Sequence, residues 1–359
     1  MKAFMMLSVL LLAPVPVQQE RDIRDAAVPA EEFAALDTLI AEQMRKLEIP
    51  GLSLAIIRNG RVAYVRSYGV ADREAGRPVQ NDTLFEAASL SKVAFAYFAL
   101  REVERGNIAL DAPIAEIFKH PDIDDPRSLR ITPRMVLSHR TGFPNWRWEN
   151  EDNALDIRFE PGTEFGYSGE GFEYLAHAIA RKRGTDIAGL EAIMRADLKA
   201  GLGCDTGPWT VSDANRADIA AGYIGKERQD DWAVAKPVVS ASLFSTAERY
   251  GCLLAGVLNG AGLSRDLYRD MVSSQGELGA DDDFRMDFGL DAWGLGVAIK
   301  QTSHGTAISH GGVNEGFTAW FTALRDQRSG YIFFTNSQKA PELNAAIEER
   351  LLAISTGVE

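Results

Sequence analysis

Apolar positions first recur at helical spacing between Glu31 and Leu47, where Phe33, Leu36, Leu39, Ile40, Met44 and Leu47 share one face. Pro50 and Gly51 close that helix. Two β-rich runs follow in GLSLAIIRNGRVAYVRSYGVAD, and Asn59-Gly60 between them is a strong signal for a two-residue hairpin turn. The far end of the chain has the same character. WGLGVAIKQ (293–301), TAISH (306–310), FTAWFTALRD (317–326) and GYIFFTN (330–336) read as consecutive strands. A last helix from Pro341 to Ile354 places Leu343, Ile347, Leu351 and Leu352 on one side. Between these ends the pattern is helical and rich in loops. SLSKVAFAYFALREVERGN is apolar on nearly every face from Val93 to Leu100, which predicts a buried central helix stopped at Gly106-Asn107. GFEYLAHAIARKRG and ERYGCLLAGVLNGAG read as further helices ending at glycine.

An isolated hairpin is marginal in water, so the early strands need the late ones. The simplest arrangement is one antiparallel sheet built from both ends of the chain and covered by the two terminal helices. The expected class is therefore α+β: a discontinuous α/β domain (25–88 plus 285–359) flanked by helices, interrupted by a mainly α domain (89–284).

Charge and composition narrow the function. A formal net charge of −13 repels nucleic acid, and no basic patch with interleaved aromatics offsets it. Residues 1–20 carry one lysine, an apolar run from Ala3 to Ala13, then Pro14 and Pro16. That run is too short for the roughly 20 residues that span a bilayer but suits a signal peptide, so export to the periplasm or medium is expected, with no stable membrane insertion afterwards. Cys204 and Cys252 form neither a disulfide framework nor a metal site, and the sequence leaves open whether they pair.

Chemistry is concentrated in three short stretches. Ser89-Leu90-Ser91-Lys92 puts a lysine one helical turn beyond a serine, on the same face. A serine hydroxyl needs a base to become a nucleophile, and a lysine in an apolar site can have its pKa lowered enough to serve. About one Ser-x-x-Lys is expected by chance in a chain this long, and a serine N-cap before an ordinary helix would look the same. Against that, a lysine inside an apolar helix is costly without a role. The second stretch, Tyr167-Ser168-Gly169, offers a phenol for proton relay. The third, His310-Gly311-Gly312, sits at the end of the TAISH strand. Its glycines allow close approach of a substrate, and the amide of Val313 could join that of Ser89 in binding an oxyanion.

The order of these stretches resembles the motif set of penicillin-recognising serine enzymes. PGLSLAIIRNGRVAYVRSYGVAD, TLFEAASLSK, ITPRMVLSHRTGFP, PGTEFGYSGEGFEYL, SASLFSTAERYGCLLAGVLNGAG and SHGGVNEGF are similar, in order, to segments of the β-lactamase-related serine hydrolases. That group holds class C β-lactamases, DD-carboxypeptidases, D-aminopeptidases and β-lactamase-like esterases. The resemblance covers nearly the whole chain. It implies a β-lactamase/transpeptidase-like fold with the site between domains and no cofactor. It also implies Ser89 as acyl-accepting nucleophile, Lys92 as base and Tyr167 as acid/base partner, with His310, Gly311, Gly312 and Val313 lining the substrate strand.

Two departures bear on substrate. The tyrosine triad of the family usually ends in asparagine, and here Gly169 stands there, with Asn145 and Glu170 as candidate replacements. The third triad usually opens with lysine followed by threonine or serine, and here His310 is a weaker, pH-dependent cation and Gly311 has no hydroxyl. Both weaken the grip on a substrate carboxylate, by about 1.5–3 kcal/mol per lost charged hydrogen bond. Small esters or amides without a carboxylate are thus the expected substrates, ahead of β-lactams or D-alanyl peptides. A non-catalytic binding homologue is the further alternative. An α/β-hydrolase is disfavoured because no Gly-x-Ser-x-Gly occurs. The five histidines show no short metal-ligand spacing, and His139 reads as support for the floor of the site.

Overall fold

The computed structural model describes residues 17–18 and 30–357. Helix α1 (Ala30–Lys46) leads into strands β1 (Gly51–Arg58) and β2 (Arg61–Asp72). Asn59 and Gly60 between them both take positive φ, 50° and 70°, as a tight turn matching the twist of the strands requires. The middle of the chain contributes helices α2 (Ser91–Glu104), α3 (Gly169–Lys182), α4 (Ile187–Leu202) and α5 (Ala247–Leu258), joined by long loops. The chain then returns to the sheet with β3 (Ala292–Trp293), β4 (Ala298–Thr302), β5 (Gly305–Asn314), β6 (Phe317–Leu324) and β7 (Ser329–Thr335), and closes with α6 (Ala340–Thr356).

The strands form one antiparallel sheet in the order β2-β1-β7-β6-β5-β4-β3, with two-residue strands Val17–Gln18 and Gly276–Glu277 at its edges. The early hairpin therefore joins the late meander through β1 against β7, where Leu54 faces Phe333 and Ala55 faces Ile332. The expected class holds: this is an α+β protein with a large antiparallel sheet. Alternation along the strands feeds two cores. Leu52, Leu54 and Ile56 pack with Phe333 against Leu36, Ile40 and Met44 of α1 and Leu343, Ile347 and Leu351 of α6. Ala55, Ile57, Ile332 and Phe334 face the other way, toward α2 and α5. Because helices cover both faces, β6 and β7 are buried at every position and lack the half-polar pattern usual for antiparallel strands.

Two local expectations are corrected, and one question the sequence left open is decided. Strand β5 does not stop at His310 but runs on to Asn314, so Gly311 and Gly312 lie inside it, paired with Trp320 and Ala319. Ser89 does not open the central α-helix. It sits in a 3-10 turn, Ala88–Leu90, and α2 begins at Ser91. Cys204 and Cys252 are joined in a disulfide that ties the end of α4 to α5. Apart from Val17 and Gln18, the expected export segment lies outside the described residues. Among the described residues no helix is long and apolar enough to cross a membrane.

Candidate functional site

The turn holding Ser89 is pinned from several sides. Ala88 takes a positive φ of 49°, a strained conformation for a residue with a side chain. The Ser91 hydroxyl donates to the Ala88 carbonyl (2.6 Å) and accepts from the Leu243 amide (2.9 Å), while Tyr250 Oη donates to the Leu90 carbonyl (2.9 Å). Strand β5 presses on the same turn through Gly312. A Cβ there would come 2.4 Å from the Ala87 carbonyl oxygen and 3.1 Å from Ser89 N. Only glycine lets the strand backbone lie this close to the serine amide.

Lys92 follows Ser89 by one turn and is wholly buried. Its Nζ donates to Ser89 Oγ (3.2 Å) and to the Ser240 carbonyl (3.0 Å). Burial brings its pKa down to about 7, against an opposing attraction from Glu173. The ammonium also lies 4.8 Å from the ring centre of Tyr167, 5.8 Å from that of Trp146 and 5.9 Å from that of Phe172. Tyr167 shares a hydrogen bond with Ser89, and burial pushes its hydroxyl well above the ordinary range, so it remains a phenol at neutral pH. Beneath Tyr167, His139 stacks on its ring with centres 4.2 Å apart and accepts the Ser168 amide proton at Nδ1 (3.0 Å).

His310 closes the opposite side, with Trp293 5.4 Å away at right angles. It is not the pH-dependent cation expected from the sequence. Burial, then the nearby charge of Lys92, depress its pKa to about 3, and its Nδ1 is bonded to the Gly311 carbonyl (2.6 Å). The ring is therefore neutral throughout the working range of a protein. The strand brings Val313, 58% exposed, to the rim beyond Gly312.

Neither proposed substitute for the absent asparagine bonds Lys92. The Asn145 side chain accepts the Gly169 amide proton (3.0 Å), and Glu170 is engaged by Arg147. A residue not anticipated from the sequence lies nearer the lysine electrostatically. Glu173, on the first turns of α3, accepts from both the amide (3.0 Å) and the hydroxyl (2.6 Å) of Ser240, whose carbonyl receives Lys92. Burial raises its pKa, while these bonds and Lys92 pull it back. A carboxylate inside GFEYLAHAIA was the available signal, since a charge on that face needs a partner.

The sequence matches the β-lactamase family model over residues 36–354. The chain belongs to the β-lactamase family. Among relatives of this family member, esterase EstB of Burkholderia gladioli is 36% identical over 125 residues, 34% of this chain and 32% of that protein. A β-lactamase of Pseudomonas fluorescens is 26% identical over 198 residues, 52% of this chain and 54% of its own length. The aligned regions thus span a third to a half of these relatives. Among solved structures, a class C β-lactamase superposes with a TM-score of 0.75 at 18% identity, covering 90% of this chain and 96% of that one. The D-alanine carboxypeptidase AmpC of Burkholderia cenocepacia superposes with a TM-score of 0.74 at 21% identity, covering 90% and 99%. At such identities the likeness is one of fold, and it extends over nearly the whole family member.

Proposed function

We propose that this β-lactamase-family protein is a serine hydrolase that cleaves small, uncharged esters, and by extension amides, through an acyl-enzyme on Ser89. The observation that carries the reading is the contact between Ser89 Oγ and the buried Lys92 Nζ at 3.2 Å, with the lysine pKa lowered to about 7. A neutral Lys92 takes the hydroxyl proton as Oγ attacks the carbonyl carbon. The amides of Ser89 and Val313 receive the oxyanion. As the tetrahedral adduct collapses, Tyr167, a phenol at neutral pH, passes a proton to the departing alkoxide and is resupplied from Lys92. Water then attacks the acyl-enzyme, giving a proton to the Lys92–Tyr167 pair, which passes it to Ser89 Oγ as the C–Oγ bond breaks and the acid leaves.

Substrate class follows from charge. His310 is neutral above about pH 3, Gly169 has no amide side chain and Gly311 no hydroxyl, so these positions of the triads offer no grip on a carboxylate. The relationship to a protein named an esterase supports the same choice. The disulfide is in keeping with export to an oxidising compartment, the periplasm or the medium. The test is hydrolysis of a short-chain nitrophenyl ester and of a chromogenic cephalosporin by wild type and Ser89→Ala. Ester turnover lost in the variant, with little cephalosporin cleavage, is expected. Efficient cephalosporin cleavage would overturn the substrate class, and full activity of Ser89→Ala would overturn the nucleophile.

A further inference from the structure

The space next to Gly169 is occupied. A Cβ built there would lie 3.0 Å from the indole ring of Trp146 and 3.1 Å from the Asn145 carbonyl oxygen. The glycine is therefore not a simple loss of an amide: it is what allows an indole to stand against the start of α3. Trp146 in turn lies 5.8 Å, ring centre to Nζ, from Lys92, so it belongs to the wall around the reacting groups. On it stacks Trp148, with ring centres 4.5 Å apart and planes within 10°. Trp148 is 63% exposed, so the stacked pair presents an indole to solvent beside the site.

The loop that carries the two indoles is built to hold still. The backbone amide and Nε of Arg147 both donate to Glu170 Oε1 (3.1 Å each), and Nη2 donates to Oε2 (3.0 Å). A further bond from Arg147 Nη1 reaches Asp122 (3.0 Å). Glu170 is buried, and the Asn145 carbonyl accepts from the amides of Gly169 and Glu170. A clamp of this kind on a surface loop fixes the orientation of the side chains either side of Arg147.

We propose that Trp146 and Trp148 form an aromatic subsite, and that the preferred substrates are esters bearing a planar aromatic group close to the scissile carbonyl. This rests on the hydrolase reading above and adds the substrate's apolar part to it. The aromatic group stacks on the indoles while the ester reaches Ser89, and Gly169 and Glu170 serve the subsite by admitting and clamping it.

The experiment compares shape-matched pairs: benzyl acetate with cyclohexylmethyl acetate, and methyl phenylacetate with methyl cyclohexylacetate. The aromatic member of each pair is intrinsically somewhat more reactive, so ring recognition is read from the change in the kcat/KM ratio between wild type and variant, and the two pairs show whether the ring lies on the alcohol or the acyl side. Wild type is expected to favour the aromatic member of at least one pair, and Trp148→Ala to reduce that preference about 3- to 10-fold, the range of an aromatic stacking contact, mainly through KM. Leu129→Ala, an exposed apolar residue elsewhere, is the control that leaves the ratio alone. An unchanged ratio in both Trp146→Ala and Trp148→Ala overturns the subsite. Trp148 is exposed enough that its removal does not threaten folding. In parallel, binding of the same esters to Ser89→Ala is followed by isothermal titration calorimetry. If wild type hydrolyses none of them, the hydrolase reading fails, while tighter binding of the aromatic ester to Ser89→Ala, lost in Ser89→Ala/Trp148→Ala, still upholds the subsite. Equal binding of both esters would refute it.

Discussion

Replacing Lys92 with methionine separates what the site needs from what the fold prefers. Folding buries the ammonium completely and lowers its pKa from the ordinary 10.5 to about 7. For a lysine, a lowered folded-state pKa means that the charged form is penalised on folding. The penalty is full below the folded value, shrinks as the pH rises, and is gone above the unfolded value. At about 1.4 kcal/mol per pKa unit, it amounts to about 4 kcal/mol at pH 7 and about 1 kcal/mol at pH 9.5. Methionine keeps the length of the side chain but leaves the Ser240 carbonyl without its donor, costing about 1–2 kcal/mol at either pH. Lys92→Met should therefore be inactive yet more stable than wild type by about 2–3 kcal/mol at pH 7, and no more stable at pH 9.5. For a chain of this size that is a rise in Tm of roughly 3–4 °C, read by calorimetry at the two pH values. A variant that melts below wild type at pH 7, or a difference that does not change with pH, would refute the reasoning.

Other expectations follow from the same geometry. The pH profile of kcat/KM should rise through about pH 7 as Lys92 loses its proton, and Glu173→Gln should move that limb to lower pH, because the carboxylate favours the charged lysine. His310→Asn should leave the limb in place, since His310 takes a proton only near pH 3. Gly312→Ala, with its new Cβ 2.4 Å from the Ala87 carbonyl, should cost about 1–3 kcal/mol in a denaturant melt and about 100-fold in turnover by shifting the Ser89 turn. Restoring the family asparagine as Gly169→Asn should fail to create β-lactamase activity while Trp146 is present, and should lower Tm. A Gly169→Asn variant as stable as wild type would disprove the conflict with the Trp146 ring and the Asn145 carbonyl. Removing the disulfide that spans 48 residues with Cys204→Ser/Cys252→Ser should destabilise by about 2–4 kcal/mol, measured under non-reducing conditions.

Much of this architecture is a consequence of local pattern. Short β-rich runs bounded by turn residues around Asn59-Gly60 and from 293 to 336 specify strands, helical spacing in 31–47 and 341–354 specifies the covering helices, and the unbroken apolar run after Lys92 specifies a helix at the centre. These depend on backbone periodicity and on which face must leave water, so they are legible in order along the chain. The pairing of Ser89 with Lys92, the proposed nucleophile and base, was equally legible, because the two are one turn apart and their contact is local. What lay beyond the sequence depends on distances between segments far apart in the chain. The neutrality of His310 comes from burial and from a lysine more than 200 residues earlier. Glu173 matters through Ser240, a partner 67 positions away. The vacancy read at Gly169 is filled by the ring of Trp146, and the pairing of Cys204 with Cys252 rests on how α4 meets α5. A sequence shows which groups are available for chemistry. Their charge, their partners and the room around them are set by desolvation and by packing between distant segments, and only the folded chain decides those.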